Sequence, residues 1–180
     1  ETIINDITYG PLINKRGYDK VLHFNEMAKA SPDTEMLLMG ERIGTEGWFL
    51  SPTVYKTPWV PNEQGSAYLR DEVFGPHISL IPFEDTNEAI RIYNDTEYGL
   101  ALGILTEDFH KARYCRERCD FGMGYWNGGS IAAESHLSFG GVKKSGNGFP
   151  SAARTFRAVT HEISWTVNHG EEMEFPQGMN

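Results

Sequence analysis

Apolar residues recur along this chain in two periods, and the clearest alternation of elements lies between residues 76 and 127. HISLIPF (77–83) reads as a strand. Asp85, with Glu88 three residues on, is placed to cap a helix over about 86–95, as in a capping box. GLALGIL (99–105) is almost wholly apolar, the pattern of a strand buried on both faces. Thr106 is the expected cap of the next helix, with Glu107 and Asp108 favouring its positive end. GMGYWN (122–127) follows as a third strand. Strand–helix–strand–helix–strand predicts parallel pairing with right-handed crossovers, and so an α/β fold.

Upstream, Tyr18, Val21, Leu22, Asn25 and Ala28 share one face of a helix predicted over roughly 15–30, which Ser31-Pro32 stops. EMLLMG (35–40) and GWFLSPTVY (47–55) read as short strands around a glycine-containing turn, and Pro58, Pro61 and Gly65 mark a loop. Downstream, a Gly- and Ser-rich stretch (128–149) is too long for a plain connector and is a candidate for function. A short helix is expected at about 151–158. In HEISWTVNH (161–169), Ile163, Trp165 and Val167 alternate with polar residues, as in a half-buried strand. The acidic tail, 170–180, is expected to be loose.

Composition narrows the function classes. The 180 residues are enough for one domain with a core, and 39% hydrophobic with 23% charged residues reads as soluble and globular. A formal charge of -9 disfavours nucleic acid and anionic membrane as partners. No apolar stretch approaches the ~20 residues that span a bilayer. Two cysteines make no disulfide scaffold and suit a reducing cytosol, so a cytoplasmic location is expected. The chain begins at Glu1 rather than Met, so the numbering is expected to start within a longer gene product.

Few residues offer chemistry. Cys115 and Cys119 lie four apart, in line with Ala112 on a predicted buried helix face, and read as small core residues rather than as a nucleophile or a zinc pair. The six histidines form no recognisable nucleophile–base arrangement. FGGVKKSGNG (139–148) has four glycines, yet lacks both the Walker spacing and G-x-G-x-x-G after a strand. In DEVFGPHISLIPF (71–83), Glu72 and Phe74 stand just ahead of a Gly-Pro turn. A carboxylate can accept from both vicinal hydroxyls of a ribose. An aromatic two residues on, on the same side of an extended segment, can wall a nicotinamide ring.

Several of these segments occur in one order and spacing. EVFGP (72–76), NDTEYGLALGILTED (94–108), GMGYWN (122–127) and SFGGVKKSG (138–146) resemble the aldehyde dehydrogenase superfamily, and GPLINKRGYDKVLHF (10–24) and GWFLSPTVY (47–55) fit its earlier segments. The resemblance covers nearly the whole chain. It implies that Glu72 hydrogen-bonds the nicotinamide ribose, that Phe74 packs against the nicotinamide, that Phe139 lines the aldehyde pocket, and that Gly128 to Ser138 shape the substrate end. It further implies a parallel-sheet catalytic-domain portion over 1–158, and an oligomerisation strand with an acidic tail over 159–180. Self-association through that strand follows.

In the family a thiolate attacks the aldehyde, hydride passes to NAD or NADP, and an activated water releases the acid. By resemblance the nucleophilic cysteine, the general-base glutamate, the oxyanion asparagine and the dinucleotide-binding domain lie upstream of Glu1. This chain is then the carboxyl-terminal part, a partner of that missing amino-terminal part, and inactive alone. The residues that would choose between NAD and NADP lie in the missing domain. The loop NGGSIAAESHLSF (127–139) is most similar to that of α-aminoadipic semialdehyde dehydrogenases, with Ala132, Ala133 and Glu134 where that group has Gly-Ala-Glu. There, and in pyrroline-5-carboxylate dehydrogenases, the loop's backbone N–H groups grip the substrate carboxylate, so the implied substrate is a small aldehyde derived from an amino acid. Ala132 departs from the pattern, because a Cβ restricts the backbone angles that grip uses. The competing reading is a non-enzymatic module acting through self-association or partner binding.

Overall fold

A computed structural model describes residues 9–61, 67–131 and 133–170. The first helix, α1 (Lys15–Ala30), falls where the periodicity placed it. The side chain of Asn14 caps it by accepting the Gly17 N–H at 2.9 Å. Its inward face is Tyr18, Val21, Phe24, Asn25 and Ala28, with Leu22 half-buried beside them. That face packs against Leu50, Tyr55, Tyr68 and Val73 to make the main core. Beneath it lies a three-stranded sheet in which β1 (Glu35–Leu38) is antiparallel to β2 (Thr53–Lys56), and β2 is parallel to β3 (His77–Leu80). A single-turn helix, α2 (Ala67–Arg70), leads from the loop into Glu72 and Phe74.

The second half carries α3 (Thr86–Asn94), β4 (Tyr98–Gly99), β5 (Ala101–Ile104), α4 (Phe109–Arg116), β6 (Met123–Trp126) and β7 (Val142–Lys143). A 3-10 turn (Ala152–Arg154) and α5 (Thr155–Val159) close it. The α/β class holds, and β5–β6 pairs in parallel as the crossover rule requires. The expected single parallel sheet does not form among the described residues. β3 pairs with β2 rather than β5, β4 pairs antiparallel with β7, and three small sheets result.

Four further expectations are corrected. The cap of α4 is Asp108, whose carboxylate accepts N–H bonds from His110 and Lys111 at 2.8 and 3.1 Å, while Thr106 Oγ1 accepts the Asp108 N–H. A carboxylate satisfies two orphan donors of the first turn where a hydroxyl two residues earlier reaches neither. Asp85 does cap α3 through the Glu88 N–H, but the Glu88 carboxylate reaches back to the Glu84 N–H at 2.7 Å, one residue earlier than in a capping box. Residues 99–105 are not buried on both faces: Leu102 is buried, whereas Gly103 is open and Leu105 is 79% exposed, since β5 pairs with one strand only. Residues 161–169 form no strand. No strand among the described residues pairs with them, and Trp165 is 83% exposed. No helix among the described residues is long and apolar enough to cross a membrane.

Candidate functional site

The stretch carrying Glu72 and Phe74 is fixed from three sides. The Lys20 ammonium on α1 donates to the Glu72 carbonyl oxygen at 2.6 Å and sits 5.6 Å from the Phe74 ring centroid. Gly75 packs so tightly on α1 that a Cβ there would come within 2.3 Å of Val21. Phe74 itself has φ 58°, the left-handed region that L side chains rarely adopt. The segment is therefore not extended at this residue, which corrects the expectation that Glu72 and Phe74 share a side. Glu72 lines a depression of about 530 Å³ with Tyr98, Lys144 and Ser145. Phe74 lines a different one of about 490 Å³ with Tyr9, Pro52 and His77. The Glu72 carboxylate has no partner among the described residues, and the Phe74 ring is 74% exposed.

Behind Phe74 runs a buried polar relay that sequence reading missed. Asn25, wholly buried, lies 2.9 Å through Oδ1 from His77 Nδ1, and His77 Nε2 lies 2.7 Å from the Tyr55 hydroxyl. The Tyr68 carbonyl oxygen, at 3.3 Å, is an alternative acceptor for the single proton of that hydroxyl, which Ser79 also meets. With Nδ1–H donating to Asn25, the neutral imidazole accepts the Tyr55 proton at Nε2. Burial lowers the His77 pKa and pushes the Tyr55 hydroxyl up to about 12, so both groups are held neutral. Asn25 Nδ2 has no partner among the described residues. The only sequence signal was a polar residue on an otherwise apolar helix face.

The long loop is pinned at both ends. Asn127 exchanges two side-chain bonds with the Thr106 backbone, each 2.9 Å. At the far end Lys143 Nζ donates to the Asn94 carbonyl oxygen at 2.8 Å and pairs with Asp120 at 2.9 Å, and Ser145 Oγ accepts the Gly99 N–H at 3.0 Å. Two glycines allow the closure, since a Cβ on Gly122 would come within 1.8 Å of the Gly140 carbonyl oxygen, and one on Gly140 within 2.6 Å of the Phe149 ring. Between β6 and the loop lies a cleft of about 410 Å³, and it brings Ala133, Glu134 and Phe139 together with Tyr125, Phe149 and Arg154. The Phe139 N–H donates to Ser151 Oγ at 2.7 Å, tying the loop to the turn that bears Arg154. Sequence reading did not find Arg154. Ala132 lies outside the described residues.

The environment of Cys119 disfavours its thiolate. Cys119 lies beyond the end of α4, and burial, with Cys115 and Asp120 nearby, raises its pKa to about 11. Both cysteines are free and half-buried, while Ala112 on the same face is buried. Among the described residues no three His, Cys, Asp or Glu side chains group as metal ligands.

The chain matches the model of the aldehyde dehydrogenase family over residues 2–164. Among solved structures it is 31% identical to aldehyde dehydrogenase 21 from Physcomitrella patens in complex with the reaction product succinate, with a TM-score of 0.68 over 79% of this chain and 28% of that one. It is 33% identical to an NAD-dependent aldehyde dehydrogenase from Sinorhizobium meliloti, with a TM-score of 0.68 over 77% and 26%. A salicylaldehyde dehydrogenase from Pseudomonas putida G7, complexed with salicylaldehyde, shares the fold at 23% identity and a TM-score of 0.76 over 93% and 33%. The chain thus spans from 26% to 33% of the length of these solved chains.

Proposed function

Because this chain belongs to the aldehyde dehydrogenase family, we propose that it supplies the carboxyl-terminal part of a catalytic domain that oxidises a small aldehyde with NAD or NADP, and that it does not turn over alone. The observation that carries this is the cleft in which Ala133, Glu134 and Phe139 meet β6. Its walls are mainly rings and methylenes, suited to an aldehyde's carbon chain, with polar groups few enough to orient it. The Glu72 carboxylate, free of partners among the described residues and facing an open depression, fits an acceptor for ribose hydroxyls, and the exposed Phe74 ring fits a face for the nicotinamide. The cofactor, when bound, takes up the hydride; these residues hold and orient it. The catalytic-domain portion is 1–158, and 159–180 form the segment through which copies associate. An amino-acid-derived semialdehyde is the substrate class. Consistent with a polar-tailed substrate, the Physcomitrella patens relative was solved with succinate, a dicarboxylate.

Two measurements test this. Hexan-1-ol, an unreactive stand-in for an alkyl aldehyde, is titrated into the chain and followed by amide NMR; shifts should concentrate at 122–125 and 133–139. Shifts confined to other surfaces refute the cleft. Mixed with NAD or NADP and short aldehydes, the chain should form no reduced cofactor, and any turnover abolished by Cys115→Ala or Cys119→Ala would overturn the packing role of those thiols.

A further inference from the structure

Two Asn-Gly dipeptides occur in the chain, at 127–128 and 147–148, one at each end of the long loop. The glycine nitrogen of such a pair has no Cβ beside it to shield it, so it can attack the side-chain carbonyl carbon of the asparagine before it. The fold treats the two pairs oppositely. Asn127 is held on both sides: Oδ1 accepts the Thr106 N–H and Nδ2 donates to the Thr106 carbonyl oxygen, each at 2.9 Å. Attack there must first break both bonds. Asn147 is exposed, and its side chain has no partner among the described residues. The Gly148 N–H donates to no group among them either. No atom lies within 4 Å of where a Gly148 Cβ would stand, so nothing crowds the attacking residue.

We propose that Asn147 is a site of spontaneous covalent modification, deamidation through a cyclic imide, and that Asn127 is the same dipeptide protected by the fold. The Gly148 nitrogen loses its proton and bonds to Asn147 Cγ. The Cγ–Nδ2 bond breaks and ammonia leaves. Water then opens the ring. Cleavage of the bond from nitrogen to Cγ leaves aspartate; cleavage of the bond to the main-chain carbonyl carbon leaves isoaspartate, whose main chain runs through the β-carbon. Only water is consumed, and nothing is oxidised or reduced. The change reaches the cleft. Isoaspartate lengthens the main chain just ahead of Gly148, whose carbonyl oxygen packs within 2.5 Å of the place a Gly140 Cβ would take, and of Phe149, which lines the cleft. Both products also add a carboxylate three residues from Lys144.

The chain itself is the test material, aged at mildly alkaline pH, digested with trypsin and read by mass. Peptide 145–154 carries Asn147 and peptide 119–143 carries Asn127. Conversion replaces NH by O, a gain of about 1 Da. Asn147 should convert at least about tenfold faster than Asn127, the scale of two ordinary hydrogen bonds. In concentrated urea the gap should close because Asn127 speeds up. Gly148→Ala, for which the structure leaves room, should slow conversion about tenfold, and Asn147→Gln should stop it. Equal native rates at the two sites, no conversion at either, or a urea acceleration as large at Asn147 as at Asn127 would overturn the proposal. A Gly148→Ala chain that converts as fast as wild type would rule out ring closure. The Gly140 and Phe149 amides should shift in step with conversion; if they stay in place, the link to the cleft is wrong.

Discussion

Replacing His77 by Leu should expose the cost of the buried relay that ties α1 to β2 and β3. The substitution removes the partner of Asn25 Oδ1 and one partner of the Tyr55 hydroxyl, which keeps Tyr68, at 3.3 Å, and Ser79. A buried polar group left unpaired costs about 1–3 kcal/mol, and Asn25 Oδ1 is the one orphaned here, so His77→Leu should lose about that much, a sizeable share of the ~5–15 kcal/mol that holds a typical domain. Asn25→Val alone orphans His77 Nδ1 but also removes the unpaired Nδ2, so its net cost from hydrogen bonding is near zero. The double variant holds no amide at position 25 to be left unpaired. It should be more stable than His77→Leu by about 1–3 kcal/mol, a coupling that urea denaturation at neutral pH can read. The pH dependence gives a second measure. Burial lowers the folded pKa of His77 below its ordinary value, so between the two values the unfolded chain binds a proton that the folded chain does not. Stability from this group is full above the ordinary imidazole pKa of about 6.5 and is lost as pH falls through that value toward the folded one. His77→Leu should flatten that part of the profile. Strict additivity of the two substitutions, together with parallel pH profiles, would falsify the relay as a unit.

Asp108→Ala should speed amide exchange in the first turn of α4, because the carboxylate caps His110 and Lys111; the same bonds, the one to Lys111 foremost, hold its pKa below the usual value, so its contribution is present above the ordinary carboxylate range and fades as pH falls through the lowered one. Unchanged exchange would move the cap elsewhere. Gly140→Ala, whose Cβ would meet the Gly148 carbonyl oxygen at 2.5 Å, should lose about 1–3 kcal/mol and broaden the amide signals around Phe149; a neutral melting temperature would show that the loop can yield. A chain ending at Val159 should associate less by light scattering than the full chain, since it lacks the exposed Ile163, Trp165 and Val167; equal association would put the contact surface on another face.

Local pattern carried most of the elements. Period-3.6 spacing located α1 to within a residue, and the Asp85 cap was legible because caps depend on a few adjacent side chains. What depended on distant partners was not. Residues 161–169 have the alternation of a strand, but alternation does not supply a neighbour to pair with. The left-handed Phe74 was hidden because no aromatic advertises a positive φ, and it turned two neighbouring candidate residues toward separate depressions. Arg154 and the Asn25–His77–Tyr55 relay join residues that only the tertiary arrangement brings together.

The pins at Asn127 and at Lys143–Ser145 have an evolutionary meaning. They make the loop's two ends part of the framework, as the Phe139 and Gly140 contacts do for its last residues, and leave the stretch from Gly128 to Ser138 least bound to it. Lengthening such a segment is cheap, since doubling a flexible loop costs only about 0.6 kcal/mol in closure entropy. Insertions and exchanges between the pins can therefore accumulate without disturbing the helices and sheets beneath. Descendants of one ancestral fold can reshape the cleft by rewriting that stretch alone, whereas a change at Lys143, which spans Asn94 and Asp120, would be felt in α3 and β4 as well.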